Sequence, residues 1–258
     1  MREEGEGMIA GSRILMLFGA IGTILTGCSR HPADDQSPIL SMRATNSPRI
    51  GDKAVYSFKA SMARQGVGSG IDVSGSAVYK METARDDTGA KAPFLVRCFN
   101  LVQHQEQIRM GRGQSNTLIV RLGEDTAGNL YLLGKLREGK RWDFVTDTKP
   151  PLCMPAEIGS ESAWQYTAHY ASGSVESVAY SCLGSERVKT PAGEYNAYKL
   201  RVSMTFSQKP GATGYVWISP DLPHVFELRS ELSSAGQDKA ISQRTRIVTI
   251  LESVERGR

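Results

Sequence analysis

The chain has 258 residues, of which 40% are hydrophobic, 22% charged and 7% aromatic, and its formal net charge is +4. That length leaves room for one large domain or two small ones with a substantial core. The charge is mild and spread along the chain, which argues against the concentrated basic stripe of a nucleic-acid binder, and no nucleic-acid partner is expected.

The first feature in chain order is an apolar run from Ile14 to Leu25, closed by Leu25-Thr26-Gly27-Cys28. At ~1.5 Å per residue this run reaches roughly 18 Å as a helix. That is short of the about 30 Å of a bilayer's hydrocarbon core and matches the apolar stretch of a signal peptide. The flank before it is unusual in carrying Glu3, Glu4 and Glu6; Met1 and Met8 both stand as starts, and Arg13 lies just before the run. The segment resembles a bacterial lipoprotein signal ending in a lipobox. The resemblance implies a signal peptide over residues 1–27, cleavage before Cys28, and lipidation of Cys28 by palmitate-type chains. Two or three chains on one cysteine meet the requirement that stable anchoring takes at least two signals, each buried CH₂ contributing ~0.8 kcal/mol. Ser29, where an aspartate would favour inner-membrane retention, implies the outer membrane, with the domain facing the periplasm.

From Cys28 to Pro48 the chain is polar and punctuated by Pro32, Pro38 and Pro48. This reads as a flexible tether, about 20 residues spanning roughly 25 Å root mean square. An N-terminal β half is expected over residues 49–149 and a C-terminal β half over 150–258. Lys53 to Ala60 alternates, with Val55 and Ser57 on one face and Tyr56 and Phe58 on the other. Ile71 to Ala84 reads as a long strand with Gly75 as a candidate bulge. Phe94 to Met110 shows no helical stripe. Thr117–Leu122 and Asn129–Leu136 flank a hairpin signal at Glu124-Asp125-Thr126-Ala127-Gly128. Lys135 to Arg141 reads as the polar end of a hairpin. Further strands are expected over Ala163–Tyr170, Val175–Leu183, Tyr195–Phe206, Gly214–Ile218, Val225–Leu232 and Ala240–Leu251. The last is rich in β-branched residues, which favour strands. No segment carries an extended helical apolar stripe. The expected fold is all-β: a large antiparallel curved sheet, either half-barrel or sandwich. Ile50-Gly51-Asp52 before Tyr56 echoes Ile158-Gly159-Ser160 before Trp164. Two related halves would account for the echo, and so would chance.

Cys98, Cys153 and Cys182 remain once Cys28 is lipidated. An oxidising compartment favours one disulfide among them. Cys153–Cys182 is the expected pair because it closes the shortest loop, with about 3–4 kcal/mol from loop entropy if unstrained.

The most specific pattern runs from Glu186 to Lys199, ERVKTPAGEYNAYK, followed by Trp217-Ile218-Ser219-Pro220. With Ile158-Gly159 and Trp164 upstream, it resembles a periplasmic β-sheet domain of uncharacterised bacterial lipoproteins. The resemblance covers roughly Pro150 to Leu251 and implies a fold and a location, with no reaction and no catalytic residues. Physically it reads as a turn: Pro191 fixes φ and Gly193 supplies positive φ. His31, His104, His169 and His224 lack metal-ligand spacing, and no metal or cofactor is expected. The glycine loops at 66–70 and 111–113 lack the ending of a phosphate-binding loop. No nucleophile elbow occurs, so no catalytic residue is assigned. Trp142, Trp164 and Trp217 read as core. The functional expectation is a non-enzymatic outer-membrane lipoprotein whose β domain binds an amphiphile or an envelope component. An accessory protein pairing with an envelope protein is the alternative, and a hydrolase of envelope polymers the third reading.

Overall fold

Alternation of buried and outward side chains organises the whole structure, a computed structural model describing residues 47–64, 71–84, 92–109, 112–137, 141–207, 209–235 and 243–258. Cys28, the expected signal peptide and nearly all of the expected tether lie outside the described residues. Thirteen strands form the described fold, with no helix among the described residues. They are β1 (Lys53–Arg64), β2 (Ile71–Thr83), β3 (Leu95–Arg109), β4 (Arg112–Asp125), β5 (Leu130–Arg137), β6 (Asp143–Phe144) and β7 (Leu152–Met154), then β8 (Ala163–His169), β9 (Val175–Thr190), β10 (Gly193–Phe206), β11 (Lys209–Ile218), β12 (Glu227–Ala235) and β13 (Gln243–Glu255). All belong to one antiparallel sheet ordered β6-β5-β4-β3-β2-β1-β13-β12-β11-β10-β9-β8, with β7 paired to β5 off this path. The all-β antiparallel expectation holds.

The first and last long strands meet in the middle of the sheet, β1 against β13 from Lys53↔Glu255 to Arg64↔Gln243. Two meanders, β1–β6 and β8–β13, therefore run in the same sense on either side of that seam. In β1, Ala54, Tyr56, Phe58, Ala60 and Met62 are buried while Val55 and Ser57 are only half-buried, as period two demands. Gly75 is not a bulge: β2 keeps an unbroken register with both neighbours there. Its missing side chain instead makes room for Phe58, whose ring would lie 2.5 Å from an added Cβ.

The two edges of the sheet are brought together by the chain between β5 and β8. At one rim Val145 bridges Tyr170, Thr146 N–H donates to the His169 carbonyl (2.8 Å), and Ala171 N–H donates to the Phe144 carbonyl (2.9 Å). His169 also donates to Asp147 from its backbone N–H (2.9 Å) and its Nδ1 (2.7 Å). At the other rim β7 pairs with β5, and Trp164 Nε1 of β8 donates to the Cys153 carbonyl (3.2 Å). The ladder is not closed, yet the sheet rolls far enough for strands of both meanders to face each other across one interior. The first described residues are pinned to this body: Ser47 Oγ donates to Glu124 Oε1 (2.7 Å), and Pro48 is buried.

Candidate functional site: a cavity inside the rolled sheet

The concave face encloses a cavity of about 200 Å³ whose wall draws on β2 to β5, β7 to β12 and the loop before β12. Alternation selects the wall. Leu118, Val120 and Leu122 line it from β4, Leu200 and Met204 from β10, and Val216 and Ile218 from β11. Most of the surface is apolar, so the interior rewards an apolar occupant.

Gln103 and Gln105 of β3 and Asn116 of β4 also line the cavity, and three further polar features stand out. At one place Lys135 of β5 is ion-paired with Glu176 of β9, across the junction of the two sheet edges. Tyr166 Oη (3.1 Å) and Tyr170 Oη (3.3 Å) donate to the two oxygens of the same carboxylate. Glu176 is thus fully engaged, and Lys135 is the only cation in the cavity wall among the described residues. The second is Glu227, at the start of β12. Burial pushes its carboxyl up to about 7, against the opposing pull of a hydrogen bond from Ser230. Burial likewise raises the hydroxyls of Tyr56, Tyr79 and Tyr180, and the neighbouring Glu227 charge adds to the effect on each.

The third is His224, 1% exposed and part of the wall. Neither of its ring nitrogens has a hydrogen-bond partner among the described residues. Burial lowers its pKa to about 4; Glu124 pulls it up and Arg97 pushes it further down. A neutral imidazole presents one donor and one acceptor, and each buried polar group left without a partner costs about 1–3 kcal/mol.

Hydrogen bonds and buried anchors hold the backbone around His224. Ser219 Oγ donates to the Asn196 carbonyl (2.8 Å), Phe226 N–H donates to the Pro223 carbonyl (2.8 Å), and Leu222 and Phe226 are buried in the core. The Trp217-Ile218-Ser219-Pro220 pattern therefore builds the support of a cavity residue. Trp217 itself points away from the cavity that Val216 and Ile218 line. It is 5% exposed, donates from Nε1 to Glu186, and lies under Lys199 (4.9 Å) and Arg229 (5.3 Å). Glu186, Lys199 and Trp217, distant in sequence, lock together on the outer face. Trp164 stacks on Tyr180 at 4.7 Å, and Trp142 on Phe144 at 5.5 Å.

Pro191 and Ala192 form the two-residue turn joining β9 to β10, and Gly193 has φ +141°. Tyr195 Oη donates to the Ala192 carbonyl (3.1 Å), capping the turn. Cys153 and Cys182 are both thiols in the structure, so the expected bridge between them is not present. The two turn to different carbonyls, Cys153 Sγ to Leu130 (3.2 Å) and Cys182 Sγ to Gly184 (3.8 Å). Burial pushes the Cys153 thiol up to about 12, far from a reactive thiolate. His104 bonds Thr117, its partner across the β3–β4 pair, and His169 bonds Asp147 in the chain between β5 and β8. His31 lies outside the described residues.

His224, Glu227, Lys135 and Glu176 were not identified as a site by their sequence context. One signal was present: in the strand expected over Val225–Leu232, Glu227 shares the phase of Val225, and both face the cavity.

No protein-family model matches the chain, and no curated protein matches it. Two solved structures do, at low identity. A protein from Bacteroides fragilis NCTC 9343, described as exported and of YmcC-like fold, is 14% identical, with 82% of this chain and 98% of that one covered at a TM-score of 0.38. A protein from Parabacteroides distasonis ATCC 8503, described as a lipoprotein, is 11% identical, with 83% and 99% covered at a TM-score of 0.39. Both likenesses are too distant to assign a family or an activity to this chain.

Proposed function

We propose that this protein is an outer-membrane lipoprotein, anchored through Cys28, whose periplasmic β domain binds the apolar part of an amphiphile without performing chemistry on it. The observation that carries the reading is the apolar cavity of about 200 Å³ inside the rolled sheet. An apolar cavity of roughly 150 Å³ admits a molecule the size of benzene, so this one accommodates an aromatic ring or a segment of acyl chain. The lipobox-like Leu25-Thr26-Gly27-Cys28 supports the anchoring and the location.

The accessory-protein reading draws less support. It would be favoured by a free edge strand, and here both sheet edges are met at their rims by residues 143–154. A hydrolase would need a nucleophile hydrogen-bonded to its base. His224, the histidine in the cavity wall, has no such contact among the described residues.

The test has two arms. Cys28→Ser should leave an unacylated precursor, detected by loss of palmitate labelling; continued labelling and membrane retention would overturn the anchor. For the cavity, the full chain should take up the neutral fluorophore N-phenylnaphthylamine with enhanced emission. Met204→Trp, which fills the interior, should weaken that uptake about tenfold or more. Equal uptake by a folded Met204→Trp protein would remove the cavity as the binding site.

A further inference from the structure

Resting on that reading, we propose that the carboxamides of Gln103, Gln105 and Asn116 receive the headgroup of the amphiphile, and that this headgroup is an uncharged sugar or similar polyol. The strand register lays out an amphipathic floor. The cavity-lining pairs of β3 and β4 run Leu101↔Val120, then Gln103↔Leu118, then Gln105↔Asn116. Hydrocarbon gives way to carboxamide along one line. Exposure on that line rises in the same direction. Leu101 and Gln103 are buried, Gln105 and Asn116 are half-buried, and Gln114 on the next rung is exposed. Gln107, opposite Gln114, is covered and braces that outer rung by donating from Nε2 to Gln114 Oε1 (3.0 Å). The amides thus stand where the cavity approaches solvent, with the leucines deeper. An amphiphile lies along this floor with its chain over Leu101 and Val120 and its head over Gln105 and Asn116.

The chemistry of the rungs names the class of head. A carboxamide offers two N–H donors and a carbonyl with two acceptor sites. Gln105 is bonded to the Tyr79 hydroxyl and keeps further capacity of both kinds. Gln103 and Gln105 are two residues apart on one strand, about 7 Å at ~3.4 Å per residue. One hydroxyl cannot reach both, whereas a sugar ring carries hydroxyls around its edge that each donate and accept. The charged groups of the wall lie elsewhere and are engaged or covered. Lys135, opposite Val120 at the hydrocarbon end, is held by Glu176, whose oxygens also accept from Tyr166 and Tyr170. Glu227 lies opposite Ile218 on β11 and takes a hydrogen bond from Ser230. The His224 nitrogens are covered, and the charges acting on that ring belong to Arg97 and Glu124, which pair with each other outside the wall. Arg137 of β5 pairs with Leu118 in the register, which makes an anionic head the rival occupant.

The experiment is competition against N-phenylnaphthylamine on the full chain, with three competitors of equal chain length: decyl glucoside, decyl sulfate and decyltrimethylammonium. Decyl glucoside should displace the probe at a concentration about fivefold lower than either ion, the worth of one neutral hydrogen bond. The double variant Gln105→Met, Asn116→Leu makes two half-buried positions apolar. It should bind the probe within about twofold of the unaltered protein and bind decyl glucoside about tenfold more weakly or worse. Should the double variant lose the probe as well, the side-chain amide ¹H–¹⁵N signals of Gln105 and Asn116 in the unaltered protein carry the test. They should shift as decyl glucoside displaces the probe. Unmoved signals, tighter binding of either ion, or unchanged glucoside binding by a double variant that still takes up the probe would overturn the inference while leaving amphiphile binding intact. Failure of the probe and all three competitors to bind would instead overturn the proposed function, and this inference with it.

Discussion

His224 and Glu227 sit three residues apart in the wall of one cavity, and burial moves them in opposite directions. The Glu227 carboxyl goes from an ordinary 4.5 up to about 7, and the His224 imidazole from 6.5 down to about 4. Each displacement is worth about 3 kcal/mol at ~1.4 kcal/mol per pH unit. The signs are opposed. For Glu227 the folded state holds a proton that the unfolded chain releases, so its contribution is fully present below pH 4.5 and is lost as pH rises through about 7. For His224 the unfolded chain holds the proton, so its contribution is present above pH 6.5 and is lost as pH falls through about 4. Between pH 4.5 and 6.5 the two slopes cancel, and this pair leaves stability flat there. Glu227→Gln should unmask the histidine: the variant gains stability with rising pH across that window, by up to about 3 kcal/mol. His224→Gln should do the reverse and lose stability as pH rises. Urea denaturation of the three proteins at half-unit steps from pH 4.5 to 7.5 reads these slopes directly. Parallel profiles for all three would refute the reasoning, because they would show both groups titrating as if in water.

Three further outcomes follow from the packing. Lys135→Met should cost about 3–5 kcal/mol in chemical denaturation, because it strands a carboxylate that is buried to 5% side-chain exposure, whereas Lys135→Met with Glu176→Gln should recover most of that loss; a single-variant cost below about 1 kcal/mol would mean the pair behaves as a solvated surface pair. Gly193→Val should cost about 1–3 kcal/mol through backbone strain at φ +141° rather than through a clash, since an added Cβ meets the Tyr195 ring at an ordinary 3.4 Å; an unchanged melting temperature together with lost probe binding would make the turn a functional element. Phe226→Ala, which empties a fully buried position beside His224, should cost about 3–5 kcal/mol and loosen the loop, seen as faster amide exchange over residues 219–226; unaltered exchange there would separate the loop's order from its core anchor.

Period-two patterning is a property of neighbouring residues, and it determined by itself that the chain is all-β and which side chains of a strand share a face. Tyr56 and Phe58 are buried opposite half-buried Val55 and Ser57, as the alternation of β1 demands. Turn chemistry was equally local: the Asp125–Gly128 hairpin forms where expected, with Asp125 Oδ1 accepting from the Ala127 and Asn129 amides and Gly128 at φ +89°. Strand limits were read less fully: the strand expected over Val175–Leu183 runs on as β9 to Thr190, passing Gly184 at φ +122° with a register irregularity opposite Tyr198 and Leu200. The pairing of β1 with β13, the meeting of the sheet edges at Val145 and Tyr170, and the turning of Cys153 and Cys182 to separate carbonyls were decided only by tertiary structure. So was the site itself. Lys135 and Glu176 are 41 residues apart, and His224 becomes an unpartnered buried imidazole only when the rolled sheet closes over its loop. Alternation specifies which face a residue takes but not which distant strand will stand opposite, and desolvation, which gives His224 and Glu227 their chemistry, exists only once those strands have met.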